Sequence, residues 1–201
     1  MDNVNIAIFA SGSGTNAQNI IKYLESRTFE NRLIIEVKLV LSNKPDAYVL
    51  ERARQHNIET QIFSADTLKN SVSVDTLLKN HNIDFIVLAG FLLKFPDRLV
   101  NEYRGRIINL HPSLLPKYGG KGMYGSAVHA AVIQSGDTES GITVHLVDEK
   151  YDNGETIFRA KCSIQPGETT ESLEAKIRDL ERAHFPTVVC NYILKYIKER
   201  R

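Results

Sequence analysis

An asparagine and a histidine lie at the end of one of the apolar segments of this chain. Asn109 and His111 follow a pair of isoleucines, and Pro112 and Pro116 exclude a regular helix directly after them. Side chains two residues apart on an extended backbone point to the same face, so the amide and the imidazole share one space. An amide donor beside an imidazole suits a developing oxyanion with coupled proton transfer. On spacing alone, a structural asparagine and a capped histidine explain the pair equally well.

A histidine that transfers protons usually needs a carboxylate, which orients the ring and adjusts its pKa. An adjacent carboxylate raises that pKa because it favours the charged form. Asp148 and Asp152 both follow the apolar segment 141–147, and their spacing does not decide between them. Ser113 lies in no G-x-S-x-G motif, which argues against a serine hydrolase. Four other histidines are interpreted as structural because they lie in or near predicted helices and strands: His56, His81, His129 and His145.

A second group of polar residues surrounds two glycines near the start of the chain. In FASGSGTN, residues 9–16, Gly12 and Gly14 allow a close backbone approach, and the neighbouring Ser, Thr and Asn side chains add donors. Free N–H groups at a helix start bind anions, so this turn predicts a phosphate site rather than an ordinary helix cap. It is not a Walker loop, Ala17 occupies the place of a third glycine, and no acidic residue ends the second strand. A single phosphate is therefore favoured, with a dinucleotide as the rival ligand.

The elements that would position these residues alternate between strands and helices. Apolar patterning predicts strands over 5–10, 33–42, 60–63, 83–91, 106–111, 141–147 and 155–164. It predicts a helix after the glycine turn and further helices over 46–57, 73–82, 97–104, 125–136 and 169–200, the last with a break or kink at Pro186. This alternation indicates an α/β fold, with a doubly wound, mostly parallel sheet, helices on both faces and a late antiparallel hairpin. No repeat or linker divides the chain, so we expect a single domain over 1–201.

Composition narrows the class of protein. The 25 Lys and Arg residues and 24 Asp and Glu residues leave a net charge of +1, which gives no electrostatic reason to expect nucleic acid or a membrane surface as a partner. Cys162 and Cys190 sit among apolar neighbours without a C-x-x-C spacing, which indicates reduced thiols rather than a disulfide or a metal site. The first residues lack the pattern of an export signal, and no apolar stretch approaches the length of a membrane span. We therefore expect a soluble, cytoplasmic protein.

Several of these motifs together carry a family resemblance. Five segments resemble, in the same order, those of the phosphoribosylglycinamide formyltransferases: SGSGTN (11–16), VLAGF (87–91), NLHPSLLPKYGG (109–120), GITVHLVDEKYDNG (141–154) and ERAHFP (181–186). The similarity spans almost the whole chain. The N-x-H-P-S-L-L-P block marks the wider group of enzymes that use 10-formyltetrahydrofolate. The early S-G-x-G-[ST]-N turn narrows the resemblance to the glycinamide ribonucleotide enzymes, because it suits a ribose 5-phosphate. The resemblance implies a Rossmann-like formyltransferase fold.

The resemblance also implies a reaction and a set of site residues. The reaction is formyl transfer from 10-formyltetrahydrofolate to glycinamide ribonucleotide in purine biosynthesis, with these two small molecules as partners and without a metal. Asn109 would donate to the formyl oxygen and His111 would move a proton, while matching YDNG to the family selects Asp152 as the partner of the histidine. The other implied contacts are Gly14, Thr15 and Asn16 with the phosphate, Glu181 and Arg178 with the ribonucleotide, and Leu92, Leu93, Lys94, Phe95 and Asn109 with the folate.

Two segments depart from the family pattern, both on the expected folate side. Leu92-Leu93-Lys94 stands where relatives often have Met-Arg or Met-Lys, and the glycine-rich segment 119–125, expected to be mobile, replaces a common Pro-Gly.

Three other functions compete with the resemblance. A methionyl-tRNA formyltransferase would need an RNA-binding C-terminal domain, and a formyltetrahydrofolate deformylase usually has an N-terminal regulatory domain. A non-catalytic nucleotide-binding module would use only the glycine turn. The sequence leaves the oligomeric state open, with a homodimer as one alternative.

Overall fold

The computed structural model describes residues 3–27 and 33–200. Within these residues the strands are β1 (Asn3–Phe9), β2 (Ile34–Ser42), β3 (Glu59–Ile62), β4 (Phe85–Leu88), β5 (Ile107–His111), β6 (Glu139–Leu146) and β7 (Thr156–Ser163). The helices are α1 (Thr15–Glu25), α2 (Tyr48–Gln55), α3 (Ala65–Asn70), α4 (Ser73–Asn80), α5 (Asp97–Glu102), α6 (Ser126–Ser135) and α7 (Thr170–Lys198). Each predicted strand and helix is present, with bounds that differ by a few residues.

The strands form one sheet in the order β3-β2-β1-β4-β5-β6-β7. The pairs from β3 to β5 are parallel, β6 is antiparallel to β5, and β7 is antiparallel to β6. This topology confirms the doubly wound, mostly parallel fold with a late antiparallel hairpin. Chain order reverses around β1, which lies between β2 and β4. Ligands of such sheets bind beyond the carboxyl ends of the strands at this switch point.

Alternate side chains of the strands supply two separate apolar layers. On β1, Ile6 and Ile8 pack into a layer that contains residues of α1, α2, α6 and α7. Ala7 and Phe9 pack into the other layer, together with residues of α3, α4 and α5. All four side chains are fully buried. Helices therefore cover both faces of the sheet, as the continuous apolar strands predict.

The helix α7 runs through Pro186 without a break, so of the predicted break or kink the break is wrong. Proline removes a backbone donor and crowds the preceding turn. Buried residues on both sides of it, including Ile177 and Val189, hold the helix in its apolar layer, so packing outweighs the local penalty. Neither α7 nor any other helix in the described part of the chain is long and apolar enough to cross a membrane.

Two further differences from the prediction have local causes. The six-residue helix α3 was not predicted, because Leu68 is its one buried residue and gives no apolar period. Its start is fixed by Ser64, whose Oγ accepts a hydrogen bond from the backbone N–H of Thr67 at 2.9 Å. β4 ends at Leu88, earlier than predicted, and Gly90 then adopts a φ of 72°. The following residues consequently leave the sheet and line a cavity.

Candidate active site

A cavity of about 680 Å³ lies beyond the carboxyl ends of β1, β4 and β5. Its wall contains the glycine turn 11–16, the segment 88–95, the end of β5 and the loop 120–125. The loop after β6 and residues of α7 complete it. This volume is typical of pockets for small molecules. The structure brings all the site residues predicted from the sequence to this one cavity: Gly14, Thr15, Asn16, Leu92, Leu93, Lys94, Phe95, Asn109, His111, Asp152, Arg178 and Glu181.

The glycine turn leads into α1 without a side-chain cap. Gly14 is the N-cap residue, has a φ of 73° and provides no side-chain hydrogen bond to the first turn. The first turn also contains no acidic residue. Its backbone N–H groups can therefore bind an anion in the cavity, and the positive end of the helix dipole favours one. Thr15 and Asn16 follow directly and also line the cavity.

The helix α2 supports the glycine turn from outside the cavity. The backbone N–H of Val49 donates to the Gly12 carbonyl at 3.2 Å. Arg52 Nε donates to the Ser13 carbonyl at 2.8 Å. Because a trans peptide holds its C=O and N–H on opposite sides, this second bond turns the Gly14 N–H away from α2. Arg52 could not be identified from the sequence, since its contact spans 39 residues and depends on tertiary packing.

Gly14→Val is expected to reduce stability and to weaken binding of a phosphate ligand. A Cβ at Gly14 would lie 2.5 Å from the Cβ of Val49, and the φ of +73° disfavours any β-branched residue. Backbone strain and overpacking together should lower the free energy of unfolding by about 2–4 kcal/mol. Gly12→Ala is the matched control for stability, because a Cβ there meets nothing within 4 Å. Thermal unfolding of both variants measures the difference, and equal Tm values would contradict the packing of α2 on the turn.

Asn109 is held at the end of β5 by the neighbouring strand. The antiparallel register places it opposite His145, and its Nδ2 lies 3.0 Å from His145 Nε2. His145 Nδ1 donates to the Leu146 carbonyl at 2.7 Å, and Nε2 accepts from the Asn109 amide, whose nitrogen can only donate. The Asn109 amide therefore gives one N–H to His145 and keeps its second N–H free for a ligand in the cavity.

His111 is buried, and both of its ring nitrogens have defined neighbours. Nε2 donates to the Tyr118 carbonyl at 2.8 Å, since a carbonyl can only accept. Nδ1 is therefore the nitrogen that gains or loses a proton, and it lies 3.5 Å from Asp152 Oδ2. Burial lowers the pKa of His111, and the Asp152 carboxylate opposes this only in part. The direction is opposite to the rise expected from an adjacent carboxylate alone, because desolvation of the ring dominates.

Asp152 lies between two imidazoles. Its Oδ2 accepts the backbone N–H of Gly120 at 2.8 Å, and its Oδ1 lies 3.6 Å from His145 Nε2. Burial acts to raise the pKa of Asp152, but the charge that His111 carries when protonated and the Gly120 N–H oppose it, and that pKa is lowered. The carboxylate consequently stays ionised next to Nδ1 of His111, the nitrogen that gains or loses a proton.

Asp148 has a different environment. It also lines the cavity, but its carboxylate bonds within its own loop. Oδ1 accepts the backbone N–H of Lys150 and Oδ2 accepts Asn153 Nδ2, both at 2.9 Å. Such contacts are typical of an aspartate that stabilises a turn. Of the two carboxylates that spacing could not separate, the structure places Asp152 and not Asp148 beside His111.

Asn16 and Glu181 connect the start of α1 to α7. Asn16 Nδ2 donates to Glu181 Oε2 at 2.8 Å. Burial raises the pKa of Glu181, while the Asn16 bond and the charge of Arg178 act in the opposite direction. Arg178 lies one turn earlier on α7, is exposed and pairs with Glu174 at 3.4 Å. This part of the cavity therefore offers one ligand both a carboxyl oxygen, which can accept a hydrogen bond from a hydroxyl group, and the positive charge of Arg178.

The segment after β4 forms another part of the wall. The backbone N–H of Leu92 donates to Ser11 Oγ at 3.1 Å, which ties this segment to the glycine turn. Lys94 is exposed and pairs with an aspartate of α5 at 2.9 Å. Phe95 is buried and packs edge-on against Phe9, with ring centroids 5.1 Å apart. Phe95 therefore belongs mainly to the apolar layer behind the wall, whereas Leu92 is exposed at its surface.

Comparison with known proteins assigns the family. A family model described as formyl transferase matches residues 4–189. The chain belongs to this family. It is 37% identical over 188 residues to the phosphoribosylglycinamide formyltransferase of Haemophilus influenzae, covering 92% of this chain and 84% of that protein. It is 36% identical over 191 residues to the enzyme of the same name from Escherichia coli K12, covering 92% and 85%. The crystal structure of phosphoribosylglycinamide formyltransferase from Bacillus halodurans matches with a TM-score of 0.82 at 35% identity, covering 94% of each chain.

Membership of the formyl transferase family indicates which reaction the polar cluster of Asn109, His111 and Asp152 would serve. Asn109 offers a free amide N–H, His111 a buried neutral imidazole, and Asp152 an ionised carboxylate. Preorganised donors stabilise an oxyanion in a partly water-excluded site. A neutral imidazole can accept a proton and return it, and the carboxylate favours the protonated ring in between. These are the requirements for transfer of an acyl-type group such as formyl.

Two contacts in this formyl transferase site were not found by sequence reasoning. His145 was interpreted as structural, yet its ring touches Asn109 and lies near Asp152. The pairing of β5 with β6 would have identified it, but a register between strands cannot be read from one segment alone. Tyr118 was also missed, because it contacts His111 through its backbone carbonyl, and every residue type has such a carbonyl.

Proposed function

We propose that this chain transfers the formyl group of 10-formyltetrahydrofolate to the amino group of glycinamide ribonucleotide in purine biosynthesis. The observation that carries the proposal is that Asn109, His111 and Asp152 share one cavity with the uncapped glycine turn of α1. A phosphorylated acceptor can rest its phosphate on the turn while its amine reaches the polar cluster. The names of the relatives in H. influenzae and E. coli support the same reaction. The products are formylglycinamide ribonucleotide and tetrahydrofolate.

The acceptor lies between the glycine turn and α7 in this proposal. Backbone N–H groups of Gly14, Thr15 and Asn16 hold the phosphate at the start of α1. Arg178 contributes positive charge, and the Glu181 carboxyl accepts from hydroxyl groups of the ribose. The Asn16–Glu181 hydrogen bond fixes both side chains relative to the phosphate site.

The formyl donor lies along the segment after β4. Backbone groups and apolar surface of Leu92, Leu93 and Lys94 contact the folate, and Phe95 supports this wall from the apolar layer behind it. Asn109 reaches the formyl group from the end of β5. Pterins are flat and largely apolar on their faces, so backbone groups and aliphatic side chains form a suitable surface for one.

The reaction begins when the amine nitrogen attacks the formyl carbon, and a C–N bond forms as the carbonyl oxygen gains negative charge. The free N–H of Asn109 donates to this oxygen. The carbonyl then reforms as the bond between the formyl carbon and the folate nitrogen breaks. The attacking amine loses a proton and the departing folate nitrogen gains one, and Nδ1 of His111 can accept the proton and return it. Asp152 stabilises the intervening imidazolium. Direct attack makes orientation and charge stabilisation the main contributions of the enzyme.

We also propose that residues 1–201 act as one cytoplasmic domain on two small molecules, without nucleic acid or a membrane as a partner. The net charge of +1 supports the absence of a polyanionic partner. Cys162 and Cys190 are both free thiols, which suits a reducing compartment. A homodimer is an alternative to a monomer, and analytical ultracentrifugation distinguishes the two.

The proposed function is tested with the purified chain. Incubation with 10-formyltetrahydrofolate and glycinamide ribonucleotide is expected to yield formylglycinamide ribonucleotide and tetrahydrofolate in equal amounts. A folate analogue that lacks the formyl group should inhibit competitively against the formyl donor, because it fits the same wall without being able to react. Initial rates at several concentrations of both substrates measure this competition. No folate binding by calorimetry, with or without the ribonucleotide, would contradict the function and favour a binding module.

A further inference from the structure

His129 is a polar residue of the cavity wall that the mechanism above does not use. It lies on α6 with its side chain only 3% exposed, and it lines the cavity. Among the described residues, its Nδ1 is buried and has no hydrogen-bond partner. Both nitrogens of His111 and His145, by contrast, lie next to polar groups. An unpaired buried polar atom costs about 1–3 kcal/mol, so an apolar side chain would be more stable at this position.

The protonation of the His129 ring follows from its surroundings. Burial lowers its pKa; Glu174 acts to raise it, and Arg178 and His111 act to lower it. The ring is therefore neutral near pH 7 and carries one N–H. A buried N–H without a partner is rarer and costlier than an unpaired acceptor, so the hydrogen belongs on Nε2 and not on the shielded Nδ1. Nε2 then presents one N–H donor to the cavity.

The position of His129 indicates which ligand would receive this hydrogen bond. α6 and α7 belong to the same apolar layer, and the titratable groups that act on the ring are Glu174 and Arg178 of α7 and His111 of β5. The wall proposed for the folate is backed by Phe95, in the layer on the opposite face of the sheet. The donor of His129 is thus on the ribonucleotide side, close enough to both His111 and Arg178 for each to act on the ring.

We propose that His129 is a binding residue for the ribonucleotide, donating from Nε2 to an oxygen of its ribose or glycinamide group. This inference rests on the proposed function and adds a neutral contact to it. A neutral donor beside the reaction centre recognises the part of the ligand between the amine and the phosphate, whereas the phosphate is held by the turn at Gly14. The chain thus keeps an imidazole, at a cost in stability, where an apolar residue would pack better.

The test uses two variants and one control. His129→Leu removes both nitrogens and should raise the KM for glycinamide ribonucleotide about tenfold, as expected for loss of one buried hydrogen bond. His129→Gln places an amide donor near the position of Nε2 and should recover part of the affinity. His81→Leu is the matched control, because His81 pairs with Glu59 at 3.0 Å and does not line the cavity.

Three measurements separate a binding role from a structural one. For His129→Leu we expect a Tm equal to or above that of the wild type, an unchanged KM for the formyl donor, and inhibition by inorganic phosphate within about twofold of the wild-type value. An unchanged KM for the ribonucleotide would overturn the inference. An equal weakening of inhibition by inorganic phosphate would also overturn it. So would a lower Tm together with weaker binding of both substrates. A wild-type chain without formyl transfer would instead contradict the proposed function itself.

Should His129→Leu fail to fold, the KM of His129→Gln for the ribonucleotide decides. A wild-type value overturns the inference, and an intermediate rise with normal folate kinetics supports it.

Discussion

His111→Ala is expected to lower kcat by about 10²–10⁴, with much smaller changes in the KM of either substrate. The reason lies in the two contacts of the ring. Nε2 is engaged by the Tyr118 carbonyl, so the proton exchanged during the reaction can reside only on Nδ1, beside Asp152. Alanine removes this group and leaves the glycine turn and the wall after β4 untouched. Initial rates at saturating concentrations of both substrates measure the loss.

Asn109→Ala is the companion variant, and we expect a loss of about 10²–10³ in kcat because one oxyanion donor disappears. The two losses should not add in a double variant, since both residues serve the same transition state. Circular dichroism and thermal unfolding check that each variant is folded. Full activity of folded His111→Ala would exclude the proton transfer proposed for this ring, even if formyl transfer itself is observed.

The parts of the site that lie close together in the chain could be predicted from the sequence. Asn109 and His111 share a face because the strand has a period of two, which is a local property. The uncapped turn at Gly14, which lines the cavity, follows from glycines at a predicted helix start. The fold class follows from the alternation of strand and helix patterns in the sequence. These patterns predict the order of the elements more accurately than the residues at which each element begins and ends. Even there, Pro186 shows that burial of a long helix can outweigh a strong local signal.

The parts of the site that depend on pairing between distant segments could not be predicted. Spacing placed Asp148 and Asp152 in the same loop, and only the folded loop turns one carboxylate towards His111 and the other towards its own backbone. His145 reaches Asn109 through the register of two strands. The pKa of His111 falls because the ring is buried, and the degree of burial is a property of the whole fold. A sequence shows which groups are available but not how much water each one loses.

Asp152→Asn is expected to lower kcat by about 10²–10³, whereas Asp148→Asn should have a far smaller effect. The two variants make the same chemical change four residues apart in one loop, so each is a control for the other. Asp152 lies 3.5 Å from Nδ1 of His111, and its charge stabilises the imidazolium formed when the amine loses its proton. Asp148 bonds to Lys150 and Asn153 and should affect mainly the stability of the loop.

The pH dependence of kcat distinguishes loss of this charge from general damage to the loop. Neutral His111 is the active form, so the rate should fall as the pH drops through the pKa of the ring, below its ordinary value of 6.5. The carboxylate of Asp152 raises that pKa in part, and Asp152→Asn should therefore move the acid limb to still lower pH. The rate at higher pH should stay low, because a weaker base accepts the proton less readily. Asp148→Asn should leave the limb in place. An acid limb that moves to higher pH in Asp152→Asn, or a severe loss in Asp148→Asn with Asp152→Asn near wild type, would show that the carboxylate serving His111 has been wrongly assigned.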